Sequence, residues 1–172
     1  MKTLCISYSL TGNNEALAAS IASRLGADHV KVTDAKKRTM RTTAFDMLFN
    51  RTPKISMPEV RIADYGKVIF LAPIWMSKIA SPLRGCFKKY SSGIGSYAFV
   101  SLSGGAIGMD ITSKLKKELE KLLGKKPEQA IDLHIADLLP KDIKPGREAN
   151  MTWHMNDKDL KSLTDSVLAK LS

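Results

Sequence analysis

Short apolar runs alternate along the chain with longer stretches in which apolar residues recur at helical spacing. The apolar runs predict five strands, over residues 2–8, 29–33, 67–72, 96–102 and 130–138. The helical spacing predicts five helices. They run over 14–25, over 39–50, after an N-cap at Ser81 with Pro82 in the first turn, after an N-cap at Asp110, and after an N-cap at Asn156 or Asp157. On the second of these helices, Met40, Ala44, Met47 and Leu48 share one face. Strand and helix therefore alternate throughout the chain.

This alternation predicts an α/β fold in which right-handed crossovers cover both faces of a five-stranded parallel sheet with helices. We expect one doubly wound, three-layer domain over residues 1–172. The stretch 139–156 fits no strand or helix, and a loop of that length is usually functional or partly folded. Within it, Trp153 and His154 are candidates for covering a ligand, for contacting a second copy, or for packing on the surface.

Composition narrows the class of protein. With 172 residues, 44% hydrophobic and 26% charged, the chain is an ordinary globular sequence long enough to bury a core. No apolar run approaches the roughly 18 residues that a membrane span needs. The apolar run near Met1 is too short for a signal peptide, so we expect a cytoplasmic protein.

The cysteines and histidines give no sign of a metal site. Cys5 and Cys86 lie far apart and each falls among apolar residues, so both are expected to be small core residues. The three histidines (His29, His134 and His154) lack the spacing of metal ligands and are expected to be surface or packing residues.

Positive charge is concentrated in one part of the chain. The net charge is +10, and residues 31–61 carry eight basic groups against three acidic ones. Such a field attracts anionic partners. The stretch is compatible with an acidic protein partner, an anionic substrate or a solvated face. No nucleic-acid-binding motif accompanies it, so nucleic acid is not the expected partner.

Chemistry is expected beyond the carboxyl ends of the strands, where open parallel sheets bind their ligands. After the first strand, a first loop of small and polar residues runs directly into a helix: Ser9, Leu10, Thr11, Gly12, Asn13 and Asn14. Backbone N–H groups converge at a helix N-terminus and the helix dipole adds positive potential, so this loop is suited to a phosphate. The side chains of Ser9, Thr11 and Asn14 can add hydrogen bonds. The alternative is that one residue of the loop simply caps the helix.

The segments after the third and fourth strands are also unusual. The second loop, Pro73, Ile74, Trp75 and Met76, places an indole at the sheet edge. There it could stack on a flat aromatic ligand or cover the edge. The third loop, Ser103, Gly104 and Gly105 followed by Ala106, Ile107 and Gly108, leaves bare backbone where side chains would block a ligand. An ordinary glycine-rich turn is the alternative.

Together the three loops resemble those of the flavodoxins. The segment 6–15 (ISYSLTGNNE) is similar to their phosphate loop, [ST]-x-T-G-x-[TN], with matches at Ser9, Thr11, Gly12 and Asn14. The segment 73–90 resembles Pro-x-Trp followed by a helix that a proline opens, and Ser-Gly-Gly resembles the third flavin loop of flavodoxin-like oxidoreductases. The resemblance implies a strand order of 2-1-3-4-5 and one non-covalent flavin mononucleotide (FMN). It implies that the first loop holds the phosphate and that Trp75 stacks on the isoalloxazine.

Two departures from the family bear on function. Electron-carrier flavodoxins are usually acidic and carry an aromatic residue in the third loop, whereas this chain is basic and has Ile107 there. Positive charge near the ring would stabilise the reduced, anionic flavin, and Lys78 is the best placed residue by sequence.

The resemblance implies electron transfer or the action of a small flavin-dependent oxidoreductase. The redox partner would be a protein, acidic by charge complementarity, or a small-molecule acceptor, and NAD(P)H is a further possible donor. We find no acid–base pair or nucleophile, so any chemistry would belong to the cofactor. Two alternatives stay open: a flavin-free doubly wound binding module, and an enzyme that holds a phosphate ligand in the first loop.

Overall fold

The computed structural model describes residues 1–36, 39–104 and 111–172. Its strands are β1 (Thr3–Ser7), β2 (Asp28–Lys31), β3 (Thr33–Asp34), β4 (Ile55–Ser56), β5 (Lys67–Leu71), β6 (Ile74–Trp75), β7 (Lys78–Ile79), β8 (Ser96–Ser103) and β9 (Gln129–His134). Its α-helices are α1 (Asn13–Leu25), α2 (Met40–Leu48), α3 (Ser81–Tyr90), α4 (Thr112–Leu123), α5 (Arg147–Thr152) and α6 (Asp157–Leu171). Short 3₁₀ turns span Ile62–Asp64, Ser91–Gly93 and Ile135–Asp137.

Five parallel strands form the central sheet in the order β2-β1-β5-β8-β9. Counted along the chain, that is the predicted order 2-1-3-4-5, so the doubly wound fold is confirmed. The chain starts in the middle of the sheet, winds to one edge, and then returns past β1 to the other. The order therefore reverses beside β1, at the place where open sheets of this kind form a crevice.

Two hydrophobic cores cover the two faces of the sheet. Leu4, Ile6, Phe70 and Phe99 face helices α3 and α4, where the ring of Phe70 meets that of Phe87 edge-on at 4.8 Å. On the other face, Cys5, Ile69 and Val100 alternate with those residues along the strands and pack against α1 and α6. Because both faces are buried, the strands read as continuous apolar runs rather than as alternating ones.

The second predicted helix is confirmed, but its apolar face is not a core face. Of the residues predicted to share that face, Met47 is buried, whereas Leu48 is 66% exposed and Ala44 is also exposed. The side chain of Met40 lies outside the described parts of the chain. Helix α2 stands beside a cavity, with Thr43, Ala44 and Met47 toward it. The apolar residues spaced at the helical period on α2 therefore contribute to a cavity wall rather than to a contact with the sheet.

Several predicted boundaries also need correction. The second strand ends at Lys31, because Thr33–Asp34 turns away to pair with Ile55–Ser56 as a separate antiparallel ribbon. The fifth strand ends at His134, where a 3₁₀ turn begins. Ser81 is the first residue of α3 rather than its cap.

The last two helix starts have different outcomes. Asp110 lies outside the described residues, and α4 begins at Thr112 with Ile111 at its N-cap position. The predicted cap of α6 is confirmed, since Asn156 Oδ1 accepts a hydrogen bond from the Asp159 N–H at 2.9 Å. No helix among the described residues is long and apolar enough to cross a membrane.

Candidate ligand-binding site

A cavity of about 870 Å³ lies at the carboxyl ends of the central strands. That volume is within the usual range of small-molecule and cofactor sites. The three predicted loops meet there, and nine of the predicted site residues line it: Leu10, Thr11, Asn14, Pro73, Ile74, Trp75, Met76, Ser103 and Gly104. Ser9, Gly12 and Asn13 belong to the first loop but do not line the wall, and Gly105 lies outside the described residues.

The first loop joins β1 to α1 through a left-handed glycine. Gly12 has φ +91° and occupies the N-cap position of α1, where no side chain caps the helix. The plain capping interpretation is therefore wrong, and the first N–H groups of α1 have no side-chain acceptor from a cap. In the same loop, the Oγ of Ser9 is buried without a hydrogen-bond partner among the described residues. A buried, unpartnered hydroxyl in the loop that leads to an uncapped helix N-terminus fits an anion.

The two asparagines of the first loop hold the site together instead of pointing freely into it. Asn14 is buried, and its amide bonds both backbone groups of Leu102 on β8, at 2.7 Å to the carbonyl and 3.0 Å from the N–H. Asn13 bonds the backbone of Trp153 at 2.9 Å and of Met155 at 3.0 Å. One loop is thereby fixed to the end of the fourth sheet strand and to the segment before α6.

The second loop is a tight hairpin. Strands β6 and β7 are joined by Met76 and Ser77, both with positive φ (49° and 60°). The indole of Trp75 contacts the ring of Tyr8 edge-on, with centroids 5.7 Å apart. Trp75 is half-buried and Met76 is 70% exposed at the mouth of the cavity.

A buried arginine and a glutamate hold this hairpin by its backbone. Arg84 Nε donates to the carbonyl of Ile79 at 3.1 Å, and Glu118 accepts from the N–H of Ile79 at 3.1 Å. Burial lowers the pKa of Arg84 and raises the pKa of Glu118, and the attraction between their charges opposes both shifts. Lys78 donates to Asn50 at 3.0 Å and does not line the cavity. That Lys78 lies near a bound ring stays a prediction.

The third loop is described as far as Gly104. A Cβ added at that glycine would lie 2.1 Å from Nδ2 of Asn150 on helix α5. The missing side chain therefore admits Asn150, a residue of the stretch 139–156 that fitted no predicted element. Gly105, Ala106, Ile107 and Gly108 lie outside the described residues.

Sequence reasoning missed the polar floor of the cavity. On β9, Asp132 and His134 follow Ala130 on the face that packs against α3 and α4, and both line the cavity. His134 Nε2 lies 2.9 Å from Asp132 Oδ2. The two-residue period of the strand could have indicated this floor. At the positions that follow Ala130 on the same face, polar residues replace apolar ones toward the carboxyl end of β9. His134 is partly exposed, and its place in the cavity lining was missed.

The segment 139–156 forms part of the wall of the cavity. Pro145, Gly146, Arg147, Asn150 and Met151 line it. Trp153 packs on the core beneath α1 and α6, and His154 is exposed, so neither lines the cavity.

The two cysteines and the possible metal ligands remain to be placed. Both cysteines are buried as predicted, and burial raises the pKa of each thiol to about 12. Neither is therefore a thiolate at neutral pH. Among the described residues, no group of histidine, cysteine or carboxylate side chains could hold a metal ion.

Comparison with solved structures identifies the architecture. A flavoprotein from Lactobacillus acidophilus NCFM in complex with FMN superposes with a TM-score of 0.65 at 18% identity, over 76% of this chain and 92% of that one. A protein from Bacteroides eggerthii DSM 20697, named as a suspected flavoprotein, gives 0.66 at 16% identity, over 97% and 98%. A flavodoxin, WrbA-like protein from Agrobacterium tumefaciens gives 0.53 at 14% identity, over 95% and 90%.

The chain has a flavodoxin-like fold. No protein-family model and no curated protein matches its sequence. The likeness to solved structures therefore establishes the fold, while the ligand has to be argued from the residues of the cavity. In this flavodoxin-like fold, the cavity occupies the crevice beside β1 where the strand order reverses.

Proposed function

We propose that the cavity binds FMN non-covalently and that the protein acts in redox chemistry. The observation that carries the proposal is the first loop, which combines an uncapped helix N-terminus with the buried, unpartnered Ser9 hydroxyl and reaches the cavity through Thr11 and Asn14. FMN supplies one- and two-electron redox chemistry when bound. The L. acidophilus protein of the same fold was crystallised with FMN.

The rest of the cavity supports a flat ring attached to that phosphate. Trp75, Ile74 and Met47 give it apolar walls, and the hairpin that carries Trp75 is fixed by Arg84 and Glu118. A rigid aromatic side chain at the mouth is suited to stacking on an isoalloxazine ring. The chain's own residues would thus bind and orient the flavin.

Binding and its dependence on Ser9 test the proposal together. We expect apo-protein to bind one equivalent of FMN, followed by quenching of flavin fluorescence, and to bind riboflavin more weakly because riboflavin lacks the phosphate. Ser9→Ala should reduce FMN affinity about tenfold or more, the value of a hydrogen bond to a charged group, and leave riboflavin affinity unchanged.

Ser23→Ala, on an exposed turn of the same helix, is the matched control and should bind as the wild type. A protein that binds neither flavin would refute the proposal. If it instead bound inorganic phosphate through Ser9, the phosphate-ligand alternative would replace it.

The proposed role is electron transfer with an acidic partner protein, or reduction of a small acceptor. Support for a protein partner comes from the outer face of α2, where Phe45 and Phe49 stack in the open with ring centroids 5.9 Å apart. Exposed Lys36, Arg51 and Lys54 lie in the same part of the chain. An apolar patch with basic neighbours suits an acidic protein surface.

The salt dependence of electron transfer distinguishes the two roles. If the partner is an acidic protein, raising ionic strength should slow electron transfer from the loaded protein to an acidic redox protein, and Phe45→Ser should slow it further. Reduction of a small quinone should change little in either case. Equal insensitivity of both reactions to salt and to Phe45→Ser would refute the docking surface.

A further inference from the structure

The two ends of the cavity differ in hydrogen-bonding chemistry. At the β1 end, the first loop presents backbone N–H groups at the start of α1. At the β9 end, two oxygen atoms that can only accept are buried without hydrogen-bond partners among the described residues: Asp132 Oδ1 and Asn150 Oδ1. Ser101 Oγ, opposite Asp132 on β8, is also buried without a partner there. The first end therefore offers donors, and the second offers two unused acceptors beside one hydroxyl.

Asp132 is the stronger of the two observations. Its side chain is 7% exposed, and one carboxylate oxygen contacts His134 Nε2 at 2.9 Å. The second oxygen has no donor among the described residues, although it lies on the cavity floor. Buried carboxylate oxygens normally accept hydrogen bonds, because leaving one unpaired costs free energy. A ligand with an N–H or O–H group would supply the missing donor.

Asn150 lines the same cavity. It lies on helix α5, which covers the cavity, and its amide rests directly on Gly104 at the end of β8. The absent side chain at Gly104 gives it room there. Its carbonyl oxygen is the second unpaired acceptor.

The spacing of the sheet relates the two ends. Strand β9 lies three strands from β1, and neighbouring strands are about 4.8 Å apart, so the two ends are separated by about 14 Å across the sheet. The cavity therefore suits an elongated ligand with an anion at one end and a hydrogen-bond donor at the other. In FMN these are the phosphate and the imide N–H of the pyrimidine ring.

We propose that Asp132 and Asn150 form an acceptor subsite for the imide N–H of a flavin. This assignment rests on the proposed function. It gives the stretch 139–156 a role, because that stretch brings Asn150 to the cavity. It also separates ring recognition, at β9 and α5, from phosphate recognition at the first loop.

A flavin without the imide hydrogen tests the subsite. Apo-protein is titrated with FMN and with 3-methyl-FMN, in which a methyl group replaces that hydrogen, and both dissociation constants are measured by fluorescence quenching and calorimetry. We expect the wild type to prefer FMN about tenfold, the value of one hydrogen bond. In Asp132→Ala and Asn150→Ala the preference should shrink because FMN binds more weakly.

Three controls keep the outcomes distinct. Asp142→Ala removes an exposed carboxylate outside the cavity lining and should keep the wild-type preference. Ser9→Ala should weaken both flavins equally. Circular dichroism and thermal melting verify that each variant folds, and Asp132→Leu, which is of similar size and has no acceptor, replaces Asp132→Ala if the latter does not fold.

The assignment is overturned if the wild type binds the two flavins equally, or if the variants at 132 and 150 keep its preference. It is also overturned if the preference disappears only because 3-methyl-FMN binds more tightly, since that result shows steric exclusion rather than a hydrogen bond. Failure to bind either flavin overturns the proposed function itself, and this assignment with it.

Discussion

Asn14 joins the first loop to the end of β8 beside the cavity. Removing its side chain should lower both the free energy of unfolding and the affinity for a ligand. The side chain is 3% exposed and makes two hydrogen bonds with Leu102, one from its amide N–H to the carbonyl and one to its oxygen from the backbone N–H. Asn14→Ala removes both. The backbone groups of Leu102 at the end of β8 then lose their side-chain partner.

The expected magnitude follows from those two bonds. A buried polar group left without a partner costs about 1–3 kcal/mol, so two cost about 2–6 kcal/mol. Asn14 also lines the cavity, where water can replace part of the lost bonding. We therefore expect the lower part of that range, about 2–3 kcal/mol in the free energy of unfolding. For a chain of this length that corresponds to a fall of about 4–12 °C in Tm.

Urea denaturation of the apo-protein at pH 7 measures this change. Asn14→Asp should be at least as destabilising, because its carboxylate would face the carbonyl oxygen of Leu102. Ser23→Ala, exposed on the same helix, is the control and should stay within about 0.5 kcal/mol of the wild type. If Asn14→Ala also stays within that limit, the two hydrogen bonds do not join the first loop to β8.

Three further predictions concern the cavity and the sheet. Ser77→Gly should raise the free energy of unfolding by about 1 kcal/mol in a urea melt, because φ +60° is costly for any residue with a Cβ; no gain would contradict the hairpin geometry. Gly104→Ala should displace Asn150 and lower FMN affinity about tenfold in a fluorescence titration, while Tm changes little; unchanged affinity would contradict it. Burial lowers the pKa of His29 below its ordinary 6.5, so its neutral form is favoured in the folded state. Urea midpoints should therefore fall as pH drops below 6.5, and less steeply in His29→Gln; equal slopes would refute this.

The strands and helices could be predicted because each depends on a pattern of residues that are close together in the sequence. The run Lys67–Leu71 is buried on both faces and reads as continuously apolar, and Asn156 caps α6 one residue before the helix begins. The strand order was a different kind of prediction. It came from the resemblance of the loops, since hydrophobic periodicity does not state which strands are neighbours.

Helix α2 shows where periodicity fails. Its apolar residues are spaced as on a core helix, yet Phe45 is 56% and Leu48 is 66% exposed. An apolar stripe indicates that a helix face is shielded from water, by the core or by a partner, in some state of the protein. It does not indicate which neighbour shields that face. The helix could therefore be predicted from the sequence, whereas its position beside the cavity could not.

The candidate site was predictable as far as it lies on contiguous loops. The first two loops were found because their residues are adjacent in sequence. Asn13 and Asn14 were found too, but with a different role, since their partners Trp153 and Leu102 lie far along the chain. The local sequence predicted that Asn14 donates a hydrogen bond to a ligand. In the structure, its amide instead forms hydrogen bonds with the backbone of Leu102 on β8.

The distribution of polar residues on β8 and β9 explains why the site is where it is. On the face of β8 toward α3 and α4, the residues in order are Tyr97, Phe99, Ser101 and Ser103. On the neighbouring strand β9, Asp132 lies opposite Ser101 and His134 lies opposite Ser103. The core therefore gives way to a polar floor over the last two inward positions of both strands. Such a change costs burial of apolar area unless a ligand or water uses the polar groups. The segment before α6 is fixed to Asn13 and contributes part of the wall of the same cavity. Ligand specificity should accordingly depend on the segment 139–156 as much as on the three loops that resemble those of the flavodoxins.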